Sequence, residues 1–93
     1  MDFVRGQIVR SKAGRDKGRF FVVLGTAGNM AQIADGGLRG LNRPKSKKLM
    51  HLSPTKTILS DNTLTSDKQL NMAIGSFVKT QLPLINQGGF ELG

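Results

Sequence analysis

Three long cationic side chains lie close together in a segment that also carries two glycines. Arg15, Lys17 and Arg19 belong to the run Gly14-Arg15-Asp16-Lys17-Gly18-Arg19. Glycine adopts positive φ angles without steric cost and lets a backbone approach a ligand closely. Because long cations beside a tight turn can neutralise several phosphate groups, this segment predicts contact with a polyanion.

Further cations extend this candidate site along the chain. A second basic run, Arg43-Pro44-Lys45-Ser46-Lys47-Lys48, and several isolated cations follow the same reasoning. We therefore predict an interface of ten cationic residues, with phosphate groups as their partners: Arg10, Lys12, Arg15, Lys17, Arg19, Arg39, Arg43, Lys45, Lys47 and Lys48.

The charge is concentrated in one part of the chain. The 93 residues include 14 Lys and Arg against 6 Asp and Glu, a formal net charge of +8. Residues 1–56 carry +9 and residues 57–93 carry −1. This balance indicates a nucleic-acid partner. An anionic membrane surface fits less well, because the only cations of the predicted helix are Lys68 and Lys79.

Few residue types here support catalysis or metal binding. The chain has no Cys and a single His, His51, and it contains no phosphate-binding or dinucleotide-binding glycine motif. Asp16 is interpreted as a residue that stabilises the turn rather than as a catalytic acid. The sequence thus predicts a non-enzyme with no metal and no cofactor. It shows no membrane-spanning run and no signal peptide, so we expect no membrane association and a cytoplasmic location.

The basic part of the chain has the pattern of short strands separated by glycines. Five strands are predicted at about 6–12, 19–24, 31–34, 38–41 and 49–52, with Asp35-Gly36-Gly37 as a hairpin turn. Five short strands in so few residues favour a small, strongly bent barrel. Pro54 is expected to end this module, which gives a basic domain at 1–53 and an extension at 54–93.

The extension predicts one amphipathic helix at about 66–81, followed by an irregular tail. Ser66 and Gln69 form a capping-box pattern, and Leu70, Ile74 and Phe77 recur at helical spacing. Pro83 is expected to stop the helix. The strand at 20–24 is apolar at every position, so both of its faces favour burial. We expect the helix to cover the second face, with exposure toward a partner as the alternative.

Several segments of the basic domain resemble a known family. Residues 6–24, and the run at 14–19 above all, resemble a KOW motif. Residues 34–39 and 43–52 look like parts of the KOW-type large-subunit ribosomal proteins of archaea and eukaryotes, and most of all like their small stand-alone bacterial relatives. The resemblance covers about residues 3–53. It implies an SH3-like barrel that binds structured RNA, often ribosomal RNA.

Two functional hypotheses follow. The first is a non-enzymatic RNA-binding protein, associated with the large ribosomal subunit, that contacts backbone phosphates and loses affinity steeply with salt. The alternative is a protein-interaction module that acts as an accessory factor of transcription or translation. In that case the strand at 20–24 or the helix at 66–81 is the contact surface, and binding survives high salt.

Overall fold

Five antiparallel strands form a single sheet, and one long helix follows them. The computed structural model describes the backbone of residues 2–90 and the side chains of residues 2–81. The sheet has the order β4-β3-β2-β1-β5. Its strands are β1 (Gln7–Ser11), β2 (Phe20–Ala27), β3 (Met30–Ala34), β4 (Lys45–Lys48) and β5 (Leu52–Ile58), and helix α1 spans Asp67–Phe90. The prediction of a mainly β fold with five strands and a C-terminal helix is confirmed.

The turn between β1 and β2 has the conformation that its two glycines predict. Gly14 and Gly18 have φ angles of 85° and 91°. The amide of Ser11 donates to the carbonyl of Arg19 at 2.9 Å, and the amide of Gly18 donates to the carbonyl of Ser11 at 2.8 Å. These bonds close the hairpin, so the cations of the turn extend from a fixed backbone.

Two of the five predicted strands lie elsewhere in the structure. Residues 38–41 form no strand but belong to an irregular loop, and β4 instead occupies the basic run at Lys45–Lys48. Lysine is depleted in strands. Pairing with β3, Met30 opposite Lys48 and Ile33 opposite Lys45, overrides that weak preference. Residues Leu49–His51 form a 3₁₀ turn, so the last strand begins only at Leu52.

Pro54 does not end the basic module, although the sequence predicted that it would. Strand β5 continues through it to Ile58 and therefore crosses the predicted boundary at 53/54. Pro54 lies opposite Val9 of β1, and β5 is the outermost strand of the sheet. A proline is tolerated at such an edge because its missing amide hydrogen removes no bond to a further strand.

The alternating side chains of β2 pack into two separate hydrophobic clusters. Phe21 and Val23 join the first cluster with Val9, Ala31, Ile33 and Leu52, all from the sheet. Phe20, Val22 and Leu24 turn to the opposite face and pack with residues of the helix, chiefly Leu70 and Ile74. The prediction that the helix covers the second face of this strand is confirmed.

Helix α1 docks on the sheet and is longer than the sequence predicted. The rings of Phe20 and Phe77 meet edge to face with centroids 5.3 Å apart. The hydroxyl of Ser66 accepts a hydrogen bond from the amide of Gln69, as the capping pattern predicts. The helix continues to Phe90, past Pro83, where an irregular tail was expected. A proline biases the preceding residue against helix without forbidding it. Residues 91–93 of the predicted tail lie outside the described residues.

Candidate functional site

A carboxylate with two lysine partners lies beneath the turn between β1 and β2. The Oδ1 of Asp16 accepts hydrogen bonds from the Oγ of Ser11 at 2.7 Å and from the Nζ of Lys47 at 2.8 Å. Its Oδ2 accepts from the Nζ of Lys45 at 2.8 Å. Lys45 and Lys47 reach the same carboxylate because residues two apart on a strand point to one face. Asp16 thus ties the turn to the edge strand β4.

The protonation of Asp16 reflects this pairing. Burial alone would raise the pKa of the Asp16 carboxyl, but hydrogen bonds from Lys45, Lys47 and Ser11, with the charge of Lys45, outweigh burial. The pKa is therefore held well below its ordinary value. A permanently ionised carboxylate cannot act as a general acid at neutral pH. The arrangement supports the interpretation of Asp16 as a residue that stabilises the turn.

A second carboxylate, that of the buried Asp35, organises the loop between β3 and β4. The Oδ1 of Asp35 accepts hydrogen bonds from the amides of Gly37 and Arg39, each at 2.9 Å. The amides of Asp35 and Gly36 both donate to the carbonyl of Arg39. Arg19 approaches the Oδ2 of Asp35 at 3.4 Å. These bonds give the loop at 35–39 a defined shape and connect it to the turn at 14–19.

The same loop is also fixed against the beginning of α1. The side-chain amide of Asn71 donates to the carbonyl of Asp35 at 3.2 Å, and the amide of Leu41 donates to the Oδ1 of Asp67 at 2.7 Å. Gly36 has a φ of 78° and packs so closely that a Cβ there would collide with the carbonyl oxygen of Asp67. Only glycine combines an easily adopted positive φ with the absence of a Cβ.

A pocket opens between the turn at 14–19 and the loop at 35–39. Its volume is about 370 Å³. We call it the arginine pocket, because three arginines, a lysine, one carboxylate and two apolar side chains form its walls: Arg15, Arg19, Arg39, Lys45, Asp16, Phe21 and Leu38. Four of the ten predicted interface residues therefore come together from three separate segments of the chain.

The cationic charge of the arginine pocket is only partly neutralised within the protein. Asp16 is engaged by Lys45 and Lys47, and Asp35 by its own loop and by Arg19. Neither Arg15 nor Arg39 makes a side-chain hydrogen bond or ion pair with the residues that the structure describes. Both side chains belong to exposed residues. Their guanidinium groups are therefore available to an anionic ligand.

The remaining predicted residues lie outside the walls of this pocket. Lys47 is only 7% exposed, and it also donates to the carbonyl of Ala13 at 2.7 Å. Its ammonium group is therefore bonded within the protein and does not face a ligand, although the sequence predicted that it would. Arg10 borders a second opening of about 450 Å³, shared with Pro54 and Gln81. The other four predicted residues are all exposed, near the turn between β1 and β2 or in and just before β4: Lys12, Lys17, Arg43 and Lys48.

The apolar part of the arginine pocket was not predicted from the sequence. Leu38 is 75% exposed on the loop at 35–39, whereas the sequence predicted it in a strand. Phe21 of β2 is the other apolar residue that lines the pocket. One signal for Leu38 was available: an isolated large apolar residue directly after Asp35-Gly36-Gly37, in a stretch with no strand alternation.

Neither a membrane span nor a metal cluster is found among the described residues. Residues 2–90 contain no helix that combines the length and hydropathy of a membrane span, and no group of three His, Asp or Glu residues that could hold a metal ion. No protein-family model matches the chain, and no curated protein matches it either.

Proposed function

We propose that this chain is a non-enzymatic RNA-binding protein of the KOW type, that its strands form an SH3-like barrel, and that it binds structured RNA through backbone phosphates. We further propose that its RNA is ribosomal, in the large subunit, and that it acts in the cytoplasm. One observation carries the proposal. Arg15, Arg19, Arg39 and Lys45 converge on one pocket from three chain segments. Arg19 and Lys45 are paired with Asp35 and Asp16, whereas Arg15 and Arg39 form no ion pair with the described residues.

The packing of the sheet supports the barrel part of this proposal. The first hydrophobic cluster is composed of sheet residues, with Phe3 and Leu49 against it, and no described helix residue belongs to it. Val9, Val23 and Ile33 in this cluster are nonetheless fully buried. A flat sheet would leave that face open to water, so a sheet that curls over its own face accounts for the burial.

The distribution of side chains favours recognition of folded RNA rather than of single-stranded bases. Every Phe among the described side chains is buried or half-buried, and the chain has no Trp or Tyr. Proteins that bind single strands present exposed aromatic surfaces on which bases stack. Exposed cations such as Arg15 and Arg39 instead neutralise phosphates, and counterion release then drives binding.

The salt dependence of RNA binding tests this proposal directly. The variant Arg15→Gln/Arg39→Gln removes two exposed cations without breaking any described ion pair. The plot of log affinity for a structured RNA against log salt should flatten by about 0.7–0.9 for each phosphate that is no longer neutralised, hence by about 1.4–1.8 in this variant. The measurement is a fluorescence anisotropy titration at several salt concentrations.

The matched control is Lys68→Gln/Lys79→Gln, which changes the net charge equally but alters two exposed residues of α1. This control should keep the slope of the unaltered protein. Equal slopes for the two variants would remove the arginine pocket from the RNA interface. Binding to a partner that persists at high salt, without RNA, would favour a protein-interaction module instead.

A further inference from the structure

The arginine pocket carries an inference that rests on the proposed function and makes it more specific. We infer that this pocket accepts one unstacked nucleotide of a bound RNA. The nucleotide's phosphate lies against Arg15 and Arg39, and its base contacts Leu38. Unpaired nucleotides in bulges and loops are the elements of folded RNA whose bases can leave the helix and be held by a protein.

The first argument is the combination of chemistries within one pocket. A surface that binds RNA only by neutralising phosphates requires exposed cations, and an apolar side chain adds nothing to such binding. Here Leu38 is the most exposed large apolar side chain of the described residues, and it lines the same pocket as Arg39 and the other cations. A nucleotide has the same composition, an anionic phosphate joined to a flat base with apolar faces.

The second argument is that Leu38 is held in place. Four backbone hydrogen bonds close the loop at 35–39, two to the side chain of Asp35 and two to the carbonyl of Arg39. Asn71 then fixes the carbonyl of Asp35 to the helix. A ligand that contacts Leu38 therefore does not have to order this loop, and binding loses less conformational entropy.

The third argument is size. The pocket measures about 370 Å³, within the range of about 300–1,000 Å³ that is typical of small-molecule sites. Such a volume is suited to a single nucleotide rather than to a length of duplex. The guanidinium groups of Arg15 and Arg39 are planar and form paired hydrogen bonds with phosphate oxygens. Guanidinium planes also stack on bases, which adds a second contact for the extruded base.

The test compares two RNA hairpins that differ by one bulged nucleotide. The bulged position carries 2-aminopurine, whose fluorescence reports when the base leaves its neighbours. The unaltered protein should bind the bulged hairpin about fivefold more tightly than the fully paired hairpin, as expected for burying part of one leucine side chain. The fluorescence of the bulged base should change on binding.

Substitutions at Leu38 test whether the preference for the bulged hairpin arises from the arginine pocket. Leu38→Ala should abolish most of the preference for the bulged hairpin over the paired hairpin. Leu38→Phe should keep or increase the preference, because a ring stacks on the base. The matched control is Met50→Ala, since Met50 is 71% exposed and does not line the arginine pocket.

The outcomes separate this inference from the proposed function. Salt-dependent binding of both hairpins with equal affinity would overturn the nucleotide site and leave RNA binding intact. A bulge preference that Leu38→Ala does not reduce would also overturn the site. Free AMP that binds as tightly as the bulged hairpin would assign the pocket to small nucleotides and overturn it as well. Failure to bind either hairpin at low salt would overturn the proposed function itself.

Discussion

Asp16 shows how one side chain sets the roles of several cations. Its carboxylate holds Lys45 and Lys47 at 2.8 Å each, and these lysines belong to the basic run that the sequence assigned to phosphate contact. Lys47 is thereby withdrawn from the surface, whereas Arg15, in the same turn as Asp16, is exposed. The ion pairs of Asp16 thus determine which positive charges of this region remain exposed to a ligand.

Replacing this carboxylate should destabilise the fold. Asp16→Asn leaves the ammonium group of Lys47 buried without a charged partner, and breaking a buried ion pair costs about 3 kcal/mol of unfolding free energy. Asp61→Asn is the matched control, because Asp61 is exposed and its pair with Arg5 should contribute less than about 1 kcal/mol. Urea unfolding at neutral pH measures both. Similar midpoints for the two variants would contradict the structural role of Asp16.

The same variant has a pH signature. The pKa of Asp16 is lowered by folding, so the unfolded chain binds more protons, and the stabilisation is present above the unfolded pKa of about 3.9 and is lost below it. The difference in unfolding free energy between the unaltered protein and Asp16→Asn should therefore shrink by about 1 kcal/mol between pH 6 and pH 3. A difference that stays constant over this range would show that Asp16 is not preferentially ionised in the folded protein.

At the level of elements, the helix is part of the core rather than an appendage. Leu70 is fully buried and Ile74 nearly so, both in the cluster that covers the second face of β2. The strand at 20–24 and the helix were the two candidate contact surfaces for a protein partner. Among the described side chains, the apolar side of the helix packs on one face of this strand, and other sheet residues cover the strand's second face.

Two substitutions on the same helix test this docking. Leu70→Ala should cost about 3 kcal/mol of unfolding free energy, because it leaves a cavity between sheet and helix. Met72→Ala should change stability by less than about 0.5 kcal/mol, since Met72 is 62% exposed on the outer side of the helix. Both residues are good helix formers, so helix propensity affects the two variants alike. Urea unfolding gives both values, and equal losses would argue against a docked helix.

The elements also show what the sequence could predict. Periodicity identified the helix and the dual burial of β2, because apolar spacing reports directly on which faces are covered. It failed for β4, whose lysines have low strand propensity and are kept in place by β3 and by Asp16. The sequence predicted the cationic residues of the arginine pocket but not that they line one pocket. The sequence predicted Arg15 from the cluster of cations at the turn and Arg39 as an isolated cation. That the two residues line one pocket depends on the contacts between the loop at 35–39 and the helix, which no local pattern encodes.

The charge of the chain is concentrated in its first 56 residues, and this distribution supports the proposed binding to a large polyanion such as RNA. Residues 1–56 hold a net charge of +9, and of their three acidic residues Asp16 and Asp35 form internal ion pairs. The field around the basic sheet is therefore strongly positive. Such a field steers a protein toward a large polyanion and weakens as salt screens it.

Sedimentation of a cell lysate through a sucrose gradient tests the proposed association with the large ribosomal subunit. We expect the protein to migrate with the large ribosomal subunit at low salt and to dissociate as salt increases. Arg15→Gln/Arg39→Gln should dissociate at lower salt than Lys68→Gln/Lys79→Gln. Absence from ribosomal fractions at low salt would exclude the ribosomal assignment and redirect the search to a smaller RNA.

The close approach of Gly36 to the backbone of Asp67 determines which part of the chain can be transferred to another protein with the pocket intact. The arginine pocket takes one wall from a loop whose shape depends on the first turn of a helix some thirty residues later. A graft of the basic strands alone into another scaffold would carry the charge without the cavity. The smallest unit that keeps the shape of this pocket therefore includes the docked helix, and a shortened chain should end after this helix rather than before it.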